Sequence, residues 1–154
     1  MEQKAEIIQE VASTFHEEWR KNRLQKDGTY LPMVEKSEDE TRNKIHWTDI
    51  VDIANTDFAD LPDNWRYENI EAAKVAVDLV YEKMLNLEKI SNEMIEEMSN
   101  IVHEKWLERN WIEWSFENQR VSYENLSEEE KEKDRIQIKT AIEVINLFSK
   151  HDNE

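Results

Sequence analysis

Arg109, Trp111, Trp114, Phe116 and Arg120 crowd into one short stretch of the chain, with Trp106 just upstream. Flat rings stack on planar heterocycles and guanidinium forks suit phosphate oxygens, so these residue types together meet the physical needs of nucleotide recognition. Trp106 falls on the inner side of a helical repeat, whereas Trp111 and Trp114 fall in a loop or strand that helix periodicity does not explain. The same rings can instead plug a small core, because Trp dominates the energetics of small apolar interiors. For Trp111 or Trp114 taken singly the sequence leaves both uses open. Arg20, Arg23 and Tyr30, with Trp19 beside them, form a corresponding group near the N-terminus.

Other chemistries find less support. His16 and His103 each precede a Trp by three positions, which sets ring beside ring on one helix side. Neither HEEW nor HEKW supplies the second His of a zinc-binding HExxH helix, so both read as packing or hydrogen-bonding histidines and no metal is expected. The acidic run Glu128 to Glu130 stands at a helix start, where capping accounts for it. The chain has no glycine-rich phosphate loop, no GxSxG elbow and no cysteine. The expectation is a non-enzymatic protein without catalytic residues or a cofactor.

The elements that must position these groups are mostly helical. Ala5, Ile8, Val11, Ala12, Phe15 and Trp19 recur at three- and four-residue steps and predict a helix from Glu2 to about Leu24. Asp27 and Gly28, the latter the sole glycine, signal a turn whose flanks can pair as a hairpin, with Pro32 confining any strand to an edge. Ser37 to Lys44 reads as a charged, mobile loop. Trp47, Ile50, Val51 and Ile53 predict a short helix over His46 to Ala54 that turns an aromatic ring inward. Pro62 suits the first turn of a helix running to about Leu87. Ser91 is a candidate N-cap for a helix from Asn92 to Arg109, and Ser127 with Glu130 forms a capping box for a last helix to about Lys150.

Composition narrows the partners. Apolar residues make up 38% and charged residues 36%, and six Trp are too many for a disordered acidic tail, so the chain folds. A net charge of −16 repels nucleic-acid backbones and anionic membranes, which leaves no direct nucleic acid and no membrane among the expected partners. A small phosphate-bearing ligand is still compatible, because distant charges are screened over about 10 Å. No basic leader and no stretch near the ~20 apolar residues of a membrane span are seen, and the lack of cysteine suits a reducing, cytoplasmic setting.

The stretch from Val102 to Ile145 resembles the ryanodine receptor repeat: a helix with a Trp, a loop, then Tyr and Leu ahead of an acidic helix start. The matching residues are His103, Trp106, Tyr123, Leu126, Glu130, Lys131, Asp134 and Arg135. A weaker copy lies upstream. FHEEW at Phe15 to Trp19 matches VHEKW at Val102 to Trp106, and FADLP at Phe58 to Pro62 matches YENLS at Tyr123 to Ser127. In that register Ala73, Ala76, Val77 and Val80 stand where Ile138, Ala141, Ile142 and Ile145 do, while Asn69 and Ile70 replace Asp134 and Arg135. The resemblance implies a mainly α fold of two pseudo-symmetric repeats, about 5–87 and about 91–150, each a helix, a hairpin or loop, and a helix, packed as one domain over 1–154.

Members of this family are implicated in binding adenine nucleotide, and bacterial and phage versions look like sensors of nucleotide signals. By similarity the ligand site is a cleft between the copies, lined by Trp19, Trp106, Trp111 and Trp114 with Arg109, Arg120 and Arg135. Trp106, Tyr123 and Arg135 occupy motif positions. On physical grounds alone Tyr123 can staple a helix start and Arg135 can pair with Glu132, three positions earlier. The implied function is sensing, or sequestration of a nucleotide-derived signal such as a phage or mobile element needs against a defence system. The sequence also leaves room for an acidic protein–protein module that blocks a nucleic-acid-binding partner, and for a homo-oligomer.

Overall fold

The computed structural model describes residues 2–85, 89–110 and 121–152. Among them lie five α-helices and one two-stranded sheet: α1 (Glu2–Lys21), β1 (Val34–Lys36), α2 (Glu40–His46), β2 (Ile50–Asp52), α3 (Asp63–Leu85), α4 (Asn92–Asn110) and α5 (Glu128–Asp152). The chain is mainly helical, as its periodicities predict. Contacts group it into two compact units, one of residues 12–71 and the other of residues up to 11 together with those from 72 onward.

The helix bounds follow from local signals. Arg20 and Lys21 place positive charge in the last turn of α1, opposite the negative helix end. Ser91 Oγ accepts from the Met94 amide at 3.2 Å and Ser127 Oγ accepts from the Glu130 amide at 3.2 Å, so both serines cap the helices they were expected to cap. Pro62 precedes α3, and its carbonyl accepts from the amides of Trp65 and Arg66.

The buried side of α1 keeps Val11, Ala12 and Phe15 of the expected row but takes in Ile7, which is 1% exposed, and leaves Ala5 and Trp19 exposed. Ile7, Val11 and Phe15 form one straight row at four-residue steps. Burying isoleucine removes more apolar area from water than burying alanine, so the helix turns that row inward.

Within the unit of residues 12–71, the Asp27–Gly28 signal yields the expected reversal. Gly28 takes φ 89°, the Gln25 amide donates to Thr29 O at 2.7 Å, and Leu24 bridges Tyr30 antiparallel. Two expectations fail beyond it. The supposed loop over 37–44 is helical from Glu40 onward, the start of α2, whose N-cap Asp39 accepts from the Arg42 amide at 3.1 Å. The supposed helix over 46–54 is instead β2 and a 3-10 turn over Ile53–Asn55. The β-branched pair Ile50 and Val51 suits a pleated ladder, and β2 pairs antiparallel with β1, Val34 facing Asp52 and Lys36 facing Ile50. Alternation sends Val51 inward, and Trp47, which ends α2 at φ 60°, points out with 93% exposure.

In the other unit the apolar faces of α3, α4 and α5 form the core. Ala73, Ala76, Val77 and Val80 are buried, as are Met98 and Val102, and Ile138, Ala141, Val144 and Ile145. The rows named for α3 and α5 are buried as their spacing predicts, except that Ile142 is only half-buried.

Candidate functional site

In the unit of residues 12–71, α1 places His16, Trp19, Arg20 and Arg23 near its end or just past it. His16 lies with its ring 5.8 Å from that of Trp19, nearly parallel at 21°. Its Nε2 is 2.7 Å from Thr56 O. A carbonyl oxygen only accepts, so Nε2 carries the proton. Burial lowers the His16 pKa against the opposing pull of that carbonyl, which keeps the ring neutral.

Four of the expected ligand residues, Trp19, Arg20, Arg23 and Tyr30, do come together here. The Arg20 guanidinium lies 4.3 Å from the Tyr30 ring centre and that of Arg23 lies 5.3 Å from the Trp19 ring. Both guanidiniums are engaged by the protein itself. Arg20 Nε donates to Ala54 O at 2.8 Å, and its Nη1 meets Glu17 at 2.7 Å and Asp57 at 3.2 Å. Arg23 donates to Leu31 O and Pro32 O, each at 2.9 Å. These bonds fasten the loop to the helix end.

The unit from residue 72 onward builds the same motif on α4. His103 lies 6.1 Å from Trp106 with an interplanar angle of 14°, and its Nε2 is 2.6 Å from Val121 O. Thr56 and Val121 each stand two residues ahead of a 3-10 turn, Phe58–Asp60 and Tyr123–Asn125. Those turns close alike, Leu61 N to Phe58 O at 3.2 Å and Leu126 N to Tyr123 O at 3.0 Å.

Tyr123 and Arg135 meet at a residue that sequence reasoning did not single out. Tyr123 Oη donates to Glu96 Oε2 at 2.8 Å, while Arg135 Nε donates to Glu96 Oε1. Arg135 Nη1 also reaches Glu128 at 3.0 Å and Glu132 at 3.3 Å, so the expected pairing with Glu132 is one arm of a three-carboxylate clamp. Hydrogen bonding from Arg135 holds the Glu96 carboxyl below its usual range. Burial, with the Glu96 bond, pushes the Tyr123 hydroxyl up to about 12. The clamp ties α4, the turn and α5 together. Glu96 lies 39 positions from Arg135, a separation that periodicity cannot bridge.

A cavity among the described residues lies beside this clamp. It measures about 150 Å³ and is lined by His103 and Trp106 of α4, Leu126, and Glu130, Lys133, Asp134 and Gln137 of α5. The Asp134 carboxyl is 11% exposed, with Oδ2 3.5 Å from His103 Nδ1. Because Nε2 holds the proton toward Val121, a neutral His103 turns a lone pair on Nδ1 toward the carboxyl. Two lone pairs repel, so one proton on either group relieves the pair. Burial, helped by the charge of Glu130 and opposed by Lys133, lifts the Asp134 carboxyl from 3.8 to about 7. The Gln137 side-chain oxygen is buried with no hydrogen-bond partner among the described residues.

Of the remaining expected residues, Arg109 is half-buried in the last turn of α4. Trp111, Trp114 and Arg120 lie outside the described residues. Asp134 was legible in one respect. Asp134 stands in register with the buried Ile138, Ala141 and Ile145, and a carboxylate in such a row must be buried and perturbed. Among the described residues no group of three or more acidic or His side chains is placed to hold a metal, and no helix is long and apolar enough to cross a membrane. No family model, curated protein or solved structure matches the chain.

Proposed function

We propose that the protein is a non-enzymatic binding module that takes the planar ring of a nucleotide-derived small molecule in the cavity between Trp106 and Asp134, sequestering it or sensing it. The observation that carries this reading is the cavity itself. Its 150 Å³ matches the size that admits a single benzene-like ring. It has an indole on its wall, and its ionisable groups can orient a polar ring edge. The ribose and phosphate would lie outside it.

We further propose that the chain consists of two ryanodine-receptor-like repeats. The support is the repeated local geometry: a His on a Trp three residues on, its Nε2 tied to a carbonyl, and the same 3-10 turn two residues later. The first repeat keeps the aromatic and arginine group but has Asn69 where the second has Asp134. Base-binding is therefore assigned to the second repeat.

Thermal-shift and Trp-fluorescence titrations with adenine, guanine and cyclic nucleotides test the reading. At a hundredfold excess over Kd, a bound ligand raises the melting temperature by roughly 5–10 °C. Trp106→Ala is expected to abolish the rise. No rise with any nucleotide overturns the proposal.

Asp134 supports a second reading. A carboxyl raised to about 7 beside a histidine in a cavity is also what acid–base chemistry uses. Incubating the protein with the ligand that shifts its melting temperature, then analysing by chromatography, separates the two. Unchanged ligand supports binding alone, and turnover lost in Asp134→Asn supports the enzyme.

A further inference from the structure

Resting on the binding reading above, we infer that the cavity selects a ring edge with two adjacent N–H donors, such as the ring N–H and exocyclic amino group of guanine, over the mixed donor–acceptor edge of adenine. The polar groups around the cavity are weighted toward acceptance. Asp134 brings two carboxyl oxygens with no hydrogen bond among the described residues beyond the 3.5 Å approach to His103. Gln137 brings a buried side-chain oxygen with no partner, an arrangement that native proteins seldom leave unused. Lys133, which also lines the cavity, is held by Glu130 at 2.9 Å. An ionised carboxylate accepts two parallel N–H bonds side by side, the geometry it uses with arginine, and guanine offers such a pair. Trp106 supplies the flat wall against which the ring stacks.

Adenine meets the same carboxyl differently. Its amino group donates but the neighbouring ring nitrogen carries a lone pair, which an ionised Asp134 repels and a protonated Asp134 satisfies by donating its own proton. The two bases therefore demand opposite protonation states of one residue. His103 from α4 and Glu130, Lys133 and Gln137 from α5 are the titratable and polar groups that face it. Glu130 favours the protonated acid and Lys133 the carboxylate. Binding of a two-donor edge at low pH converts the acid to the carboxylate and releases one proton to buffer. Binding of an adenine edge at high pH takes one proton up.

The test is isothermal titration calorimetry of the whole chain with guanosine, inosine and adenosine monophosphates, in buffers of differing ionisation heat, at about pH 6 and about pH 8. Inosine keeps the ring N–H and lacks the amino group. At the higher pH, guanosine monophosphate is expected to bind about tenfold tighter than inosine monophosphate, with adenosine monophosphate weaker still. Toward the lower pH the guanosine affinity falls while the adenosine affinity rises, so the preference narrows. Asp134→Asn is expected to remove the pH dependence of that ratio, and the narrowing seen in the wild type carries the test if the variant does not fold. Adenosine monophosphate binding as tightly as guanosine monophosphate at the higher pH, with signal lost in Trp106→Ala, overturns the selectivity but leaves the binding reading. Absence of binding by all three overturns both.

Discussion

Asp134 sits where a carboxylate is costly, and its replacement by asparagine isolates that cost. Below 3.8 the carboxyl is protonated, and so uncharged, in folded and unfolded chains alike. Between 3.8 and about 7 the unfolded chain ionises while the folded one keeps its proton, so the folded state loses ground as pH rises. Above about 7 the loss is complete. A separation of about three pH units, at about 1.4 kcal/mol each, amounts to about 4 kcal/mol, the most this group can contribute. Asp134→Asn fills the same space and never ionises. Glu96 and Glu132, held low by hydrogen bonds from Arg135 and Lys139 respectively, act in the opposite sense, lending stability that disappears as pH falls. They are common to both proteins and cancel in the difference. Urea denaturation of wild type and variant from about pH 4 to about pH 8 is therefore expected to show the variant gaining steadily on the wild type, by up to about 4 kcal/mol at the upper end. A difference that does not change with pH would refute the reasoning.

Arg135→Ala is expected to lower stability by about 1–3 kcal/mol, because it strips Glu96, Glu128 and Glu132 of their common partner, and Arg135→Lys should recover little because one ammonium cannot span three carboxylates. Chemical denaturation of the two variants measures this. Ile7→Ala should cost about 2–5 kcal/mol while Ala5→Ser stays within about 0.5 kcal/mol, which checks the rotated face of α1 by the same assay. Trp47→Asn should raise stability by about 1 kcal/mol, since asparagine tolerates the left-handed backbone and the indole it replaces is 93% exposed; a lowered melting temperature would mean the ring is held by contacts unlike those described.

Helix positions were legible because they rest on local chemistry: Ser91 and Ser127 cap, and apolar residues recur at helical steps. Facing was less legible where two apolar rows compete on one helix, as Ile7 and Ala5 show. Trp47 misled because hydrophobicity alone says nothing about ladder pairing between residues 34–36 and 50–52, and that pairing decides which way the neighbouring chain points. The Glu96, Tyr123 and Arg135 clamp joins three separate segments, so sequence showed two members without the third that connects them. Ligand residues were read from type and proximity, and for Arg20, Arg23 and Arg135 the same chemistry that suits phosphate is satisfied by carbonyls and carboxylates of the chain itself.

Helix α2 buries none of its residues. Polar bonds hold it: the Asp39 cap, Arg42 Nε to Asp60 O at 2.6 Å and Asn43 Nδ2 to Ser37 O at 2.8 Å. Without hydrophobic anchorage such a segment unravels by itself, long before the remainder melts. A chymotrypsin-like protease would then find Trp47 at the frayed end and sever the peptide there. Because residues 34–36 and 50–52 are laced together on either side of the scission, the two fragments should remain joined under native conditions and part only in denaturant.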